Sequence, residues 1–177
     1  MIEQACWSII ERAREGSEDD EQTAERVLEL LREASLEQIE AFERGRARLM
    51  ERSYTWALWG AAYLINGGCS DDGFDYFRGW VLTQGREVFE AALADPDSLA
   101  AIVDDEVECE AILYAAYQAY EEKTGGGFEG IRMDYSNLGE GWDFDDGDEM
   151  RRRYPLLWAK FGYERDDEDE DEADDED

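Results

Sequence analysis

Apolar residues recur every three to four positions along most of this chain, and residues that start or stop helices punctuate them. Ile2, Cys6, Ile9, Ile10 and Ala13 predict a first helix that runs to about Glu15 and stops at Gly16. Ser17 with Asp20 three residues on reads as a capping box, in which two side chains satisfy free N–H groups at a helix start. Ala24, Val27, Leu28 and Leu31 then form one face of a second helix. Ser35 with Gln38 repeats the capping signal before Leu36, Ile39, Phe42, Leu49 and Met50, with Gly45 a weak point inside that third helix.

The run 54–65 is apolar on all sides and predicts a helix at the centre of a bundle. Asn66, Gly67 and Gly68 end it, because Gly and Asn take the left-handed conformation that a helix end often needs. Ser70 starts another helix, with Asp71 and Asp72 in its first turn and Phe74, Phe77 and Val81 facing inward. Gly85 breaks or bends that element before Val88, Phe89, Ala92 and Leu93 resume it. Asp95 followed by Pro96 marks a restart, since Pro suits the first helical position. A further helix is predicted next, with one ridge on Val107, Ala111, Tyr114 and Gln118 and the neighbouring one on Cys109, Ile112, Leu113, Ala116 and Tyr120. Three glycines from Gly125 end that helix.

Residues 128–147 mix Gly with Phe128, Tyr135, Trp142 and Phe144, which predicts an irregular segment draped over the core. A short strand pair is the only β-structure the pattern allows, near 131–135. Residues 150–161 read as one short docking helix that Gly162 ends. From Asp166 to Asp177 every residue except Ala173 is acidic, which predicts a disordered tail. The expected fold is all-α: one orthogonal or bundle-like helical domain over 1–124, an irregular wrap and docking helix over 125–163, and the acidic tail over 164–177.

Charge narrows the functions available. The net charge is −31, from 48 acidic and 17 basic residues in 177. Residues 164–177 hold twelve acids and one arginine, a charge of −11, which leaves −20 on the rest. Phosphate binding needs clustered Lys and Arg, so direct nucleic-acid binding and anionic membranes are excluded as partners. The chain has no histidine, which removes Ser-His-Asp and Cys-His catalysis and every histidine metal site. Cys6, Cys69 and Cys109 are odd in number and far apart, as expected of reduced thiols in a cytoplasmic protein. No signal peptide is expected, and 54–65 is too short to span a bilayer. No cofactor motif appears, and none is expected.

The stretch LWGAAYLINGGCSDDGFDYFRGWVLTQGREVFEAAL, with DPDSLA after it, resembles a bacterial family catalogued as domain of unknown function 4240. CWSIIERARE near the start and RRRYPLLWAKFG near the end also fit that family. The resemblance implies a bacterial, mainly helical protein. It implies no activity, because the family has no agreed function.

The candidate polar pocket is Ser70, Asp71, Asp72, Asp75 and Arg78. Read as a site, its carboxylates are metal ligands or general bases and Arg78 is an anion clamp. Read as structure, Ser70, Asp71 and Asp72 cap a helix, and Asp75 pairs with Arg78 at i,i+3. Asp143, Asp145, Asp146 and Asp148 suggest a calcium loop, but the register puts Trp142, Phe144 and Arg153 where oxygen ligands belong. Trp56, Trp59, Tyr63, Phe74, Phe77 and Trp80 read as core rather than as a ligand pocket. Arg151, Arg152 and Arg153 are expected to neutralise the 143–148 acids or the tail.

The expected function is a non-enzymatic interaction or regulatory module that binds a basic protein, with an antitoxin-like or immunity role as one form it can take. Two alternatives stand beside it. One is a divalent-metal hydrolase that uses Asp71, Asp72 and Asp75. The other is a nucleic-acid mimic, for which a body charge of −20 suffices.

Overall fold

Helices α1 (Glu3–Arg14) and α3 (Leu36–Ser53) lie against each other at a glycine. A Cβ on Gly45 would come within 2.7 Å of Cys6 Cβ, so the absent side chain is what lets the two backbones approach. Gly45 is therefore a packing contact rather than the expected weak point, and α3 runs through it unbroken. Beside it, Arg46 and Glu43 form a buried two-pronged ion pair, Nη2 to Oε1 at 2.5 Å and Nε to Oε2 at 2.8 Å.

The computed structural model describes residues 2–135 and 138–162. Within them α2 (Asp20–Glu33) joins α1 to α3. Its cap is Asp19, whose carboxylate accepts from Gln22 N–H, and not Ser17, whose hydroxyl instead donates back to the Ala13 carbonyl. Ser35 and Gln38 do form a capping box at α3. The chain then continues through α4 (Trp56–Ile65), α5 (Asp71–Thr83), α6 (Arg86–Ala94), a 3-10 turn (Pro96–Ala101) and α7 (Ala111–Thr124). Gly85, at φ 90°, separates α5 from α6, and Gly125, at φ 69°, ends α7. The Asp95 cap and Pro96 thus start a 3-10 turn rather than an α-helix.

The hub of the molecule is α5 and not α4. Helix α5 touches α1, α2, α3, α4, α6 and α7. Helix α4 sits to one side, between α5, the 3-10 turn and the C-terminal segment. Its all-round apolar sequence has a different cause from the one predicted. The C-terminal wrap covers the face that solvent would otherwise reach: Phe144 packs on Trp56 and Tyr63, and the Tyr154 hydroxyl donates to the Ala57 carbonyl at 2.6 Å.

The described residues of the wrap at 126–135 and 138–146 are irregular, with no strand among them. The expected docking helix is two helices, α8 (Gly147–Arg153) and α9 (Pro155–Phe161), broken at Tyr154. Pro155 forces the break. The start of α9 has no cap of its own, and buried Asp97 supplies one: its carboxylate accepts from Leu156 and Leu157 N–H at 2.8–3.1 Å. The fold is all-α, and the acidic tail lies outside the described residues.

Candidate functional site

The turn after α4 places the predicted polar group. Gly67 and Gly68 sit at φ 61° and 126°, where L side chains are strained. They let the chain reverse into Ser70, whose Oγ accepts from Gly73 N–H at 3.2 Å and starts α5. Asp71 and Asp72 stand exposed in the first turn, where carboxylates favour the positive end of the helix dipole. Asp75 is half-buried one turn on and pairs with Arg78.

Arg78 itself is fully buried. Its guanidinium donates to the Asp75 carboxylate and to the Met50 and Phe74 carbonyls. Its carbon centre lies 4.7, 4.9 and 5.2 Å from the Phe74, Tyr54 and Tyr135 ring centres. Tyr135, from the wrap, stacks on Tyr54 at 4.2 Å. The cation is thus boxed by aromatic faces, tied to backbone and neutralised in place. An anion clamp needs donors aimed at open space, and these point into the protein. Burial raises the Tyr54 and Tyr135 phenols above their ordinary range, as removal from water disfavours the phenolate.

The five predicted residues therefore share one corner, where the donors of Arg78 are turned toward protein groups. Among the described residues no three Cys, Asp or Glu side chains are grouped closely enough to hold a metal ion. Burial pushes the Cys69 thiol up to about 11, does the same to Cys109 and drives Cys6 higher still.

The other predicted groups resolve into structure as well. Of the aromatic set, Trp59, Phe74, Phe77 and Trp80 are core, while Trp56 and Tyr63 are half-buried under the wrap. Trp59 stacks on Phe74 at 4.6 Å and donates its indole N–H to the Cys69 carbonyl. Asp143 and Asp146 accept local backbone N–H groups, and Asp145 accepts from the Tyr63 hydroxyl. Arg152 and Arg153 pair with Glu149, not with the 143–148 acids, and Arg153 also lies 3.8 Å from the Trp142 ring centre. Arg151 lies over the Trp158 ring.

A concave surface of another kind lies on a different side of α5. A cleft of about 470 Å³ opens between the α1–α2 turn, the end of α5 and residues 102–107. Trp80, Ile102, Val103 and Val107 give it apolar walls. Glu18, Asp19, Asp20, Asp104 and Asp105 stand around it against one arginine, Arg14. Asp19 is committed to the α2 cap and Asp104 to Lys160, which it meets at 2.8 Å. Sequence reading missed this cleft because its walls come from three separate segments. The run DDEVECE from Asp104 was the available signal: residues 106–110 alternate acid-out and apolar-in, an extended pattern rather than a helical one.

That segment is pinned at two places. The Asn66 side chain bonds both backbone groups of Val107, and Cys109 N–H donates to the Tyr76 carbonyl. Consequently α7 begins only at Ala111. Ile112, Ala115, Ala116 and Ala119 face inward, whereas Ala111, Tyr114 and Gln118 face solvent. Of the two ridges traced in the sequence, the one on Cys109, Ile112 and Ala116 is buried, and the one on Ala111, Tyr114 and Gln118 is exposed.

Among the described residues no helix is long and apolar enough to cross a membrane. No curated protein and no solved structure matches the chain. The family model described as protein of unknown function DUF4240 matches residues 1–122, more than half the chain, and the chain belongs to that family.

Proposed function

We propose that this DUF4240 member is a non-enzymatic interaction module that binds a basic protein. The observation that carries the reading is the cleft beside the α1–α2 turn, with apolar walls under a rim of five carboxylates and one arginine. Apolar walls hold the stem of a lysine or arginine, and the rim receives its charge. Two further facts support it. The polar group at Ser70, Asp71, Asp72, Asp75 and Arg78 is occupied with capping and packing, and a chain of charge −31 attracts cationic surfaces over a distance. Masking the basic surface of another protein, as antitoxins and immunity proteins do, is the form of regulation that suits such a chain. Its three free cysteines suit the reducing cytoplasm.

Capture of partners on the full chain, with and without charge reversal at the cleft, tests the reading. Glu18→Lys with Asp105→Lys leaves the Asp19 cap and the Asp104–Lys160 pair in place. Proteins held by the wild type and released by this variant are expected to be basic. Retention of the same proteins by both would remove the cleft from the interaction. Capture of acidic or neutral proteins alone would end the basic-partner reading.

A further inference from the structure

The solvent face of α7 is aromatic where a surface helix of this protein is elsewhere charged. Tyr114 is 55 % exposed and Tyr117 is 42 % exposed, three residues apart and so on one face. Tyr76 of α5 adjoins the segment that leads into α7, because its carbonyl accepts from Cys109 N–H. The Glu110 carboxylate first, then burial and the charge of Asp72, raise the Tyr76 phenol above its ordinary range. Glu108 and Glu110 are exposed at alternate positions of the pinned segment that leads to the tyrosines.

Packing does not account for these rings. The inner face of α7 is Ile112 with three alanines, which lets α2 lie close along it. Tyr117 meets Phe128 of the wrap edge-on at 6.2 Å, whereas Tyr114 is more than half exposed. Exposed tyrosine gives rigid, amphipathic contact area at low entropic cost, and interfaces are enriched in it. The charge around it selects the occupant. A second copy would bring another charge of −31 to an already acidic face. A cationic surface meets no such penalty.

We infer that the tyrosine face of α7, with Tyr76 and the carboxylates of Glu108 and Glu110, is a docking surface for arginine side chains of a basic protein. The inference rests on the basic-partner reading above and adds a second contact with its own selectivity. A guanidinium stacks flat on a phenol ring while its edge donates to a carboxylate beside it. An ammonium, more tightly hydrated and without a flat face, gains less from the rings. The surface therefore prefers arginine to lysine, which a purely acidic surface does not.

The experiment uses the full chain and two labelled peptides, an octamer of alternating glycine and arginine and the same octamer with lysine. Fluorescence anisotropy gives both affinities for the wild type, for Tyr114→Ala with Tyr117→Ala, and for Glu25→Gln with Glu29→Gln on the exposed face of α2. The tyrosine variant, which changes no charge, should weaken the arginine peptide roughly tenfold and erase its advantage over lysine. The α2 variant should weaken both peptides alike. Tyr114→Phe with Tyr117→Phe keeps the rings and should keep the preference. Wild-type affinity in the tyrosine→alanine variant, or equal binding of the two peptides by the wild type, overturns the docking surface and leaves the basic-partner reading intact. No binding of either peptide by the wild type overturns both. A concentration-dependent dimer in sedimentation, lost with the tyrosine→alanine change, overturns the inference by giving the face to a second copy.

Discussion

The first half of α5 and the solvent face of α7 read in opposite ways as sequence and as structure. Residues 70–78 carry the polar, chemistry-bearing side chains, yet Ser70 is a cap, Asp71 and Asp72 serve a helix dipole, and Arg78 lies in the core. Tyr114 and Tyr117 carry large rings of the kind that usually fill cores, yet they stand in solvent. Residue type alone does not set which side of a helix a residue takes. The neighbours do. Helix α5 is surrounded by six other helices, so even its arginine must be buried and paired. Helix α7 has α2 and α3 along its inner side, and alanines satisfy them.

The comparison breaks most readily at Arg78. Truncation to alanine leaves the Met50 and Phe74 carbonyls short of a donor and opens a void among Phe74, Tyr54 and Tyr135. A loss of about 3–5 kcal/mol in urea unfolding is expected. Asp75 adds little, because its carboxylate is partly solvated. Trp59→Ala belongs in the same range, about 3–5 kcal/mol, since its ring is stacked between Phe74 and Trp56 and its N–H is used. A melt of Arg78→Ala close to wild type would return this residue to the role of an accessible clamp.

The close approach of α5 to the 103–110 segment supplies the next test. A Cβ on Gly79 would lie 2.3 Å from the Cys109 carbonyl oxygen, which is backbone and cannot swing aside. Gly79→Ala is expected to cost about 1–3 kcal/mol through forced separation of the two elements. It should also disturb the peptide-binding face, because Cys109 and Glu110 set the start of α7. An unchanged melt would mean that the segment yields freely and is not pinned.

The α5 start gives smaller effects. Ser70→Ala should cost about 0.5–2 kcal/mol by removing the bond to Gly73. Asp71→Asn and Asp72→Asn should each cost about 0.3–1 kcal/mol through the dipole alone. A metal site predicts the reverse sign: neutralising one of several crowded carboxylates would raise apo stability and abolish stabilisation by added Mg²⁺, Mn²⁺ or Ca²⁺. Melts of the Asp→Asn variants with and without those ions separate the two.

What could be read in the sequence follows the range of the interaction involved. Caps at Ser35 and Ser70, and the glycine stops at Gly85 and Gly125, act within four residues and were legible. The Asp97 cap on α9 acts across 59 residues and left no local sign. Nor did the Glu43–Arg46 pair, which looks like any surface i,i+3 pair until α1 covers it. Helix α4 was placed at the centre because its apolar run has no polar face, and the pattern does not say whether helices or an irregular wrap cover it. The site suffered most. Its polar corner is local and was found, whereas the cleft and the tyrosine face are assembled from distant segments.

The smallest expected effect on stability is the one that isolates function. Tyr114 buries little and makes no hydrogen bond that the fold needs, so Tyr114→Ala should change the unfolding free energy by no more than about 0.5 kcal/mol. Alanine also has the higher helix propensity, which offsets part of any lost contact. If the ring served the fold instead, by closing over Tyr76 and the start of α7, the cost would approach that of a half-buried aromatic and the variant would melt measurably earlier. Denaturant unfolding of Tyr114→Ala beside Arg78→Ala places both ends of the comparison on one scale. A near-zero change at the tyrosine together with a large one at the arginine means that the polar residue is structural and the apolar one is free for a partner. Equal losses at the two positions would dissolve that distinction and remove the reason for reading the α7 face as a docking surface.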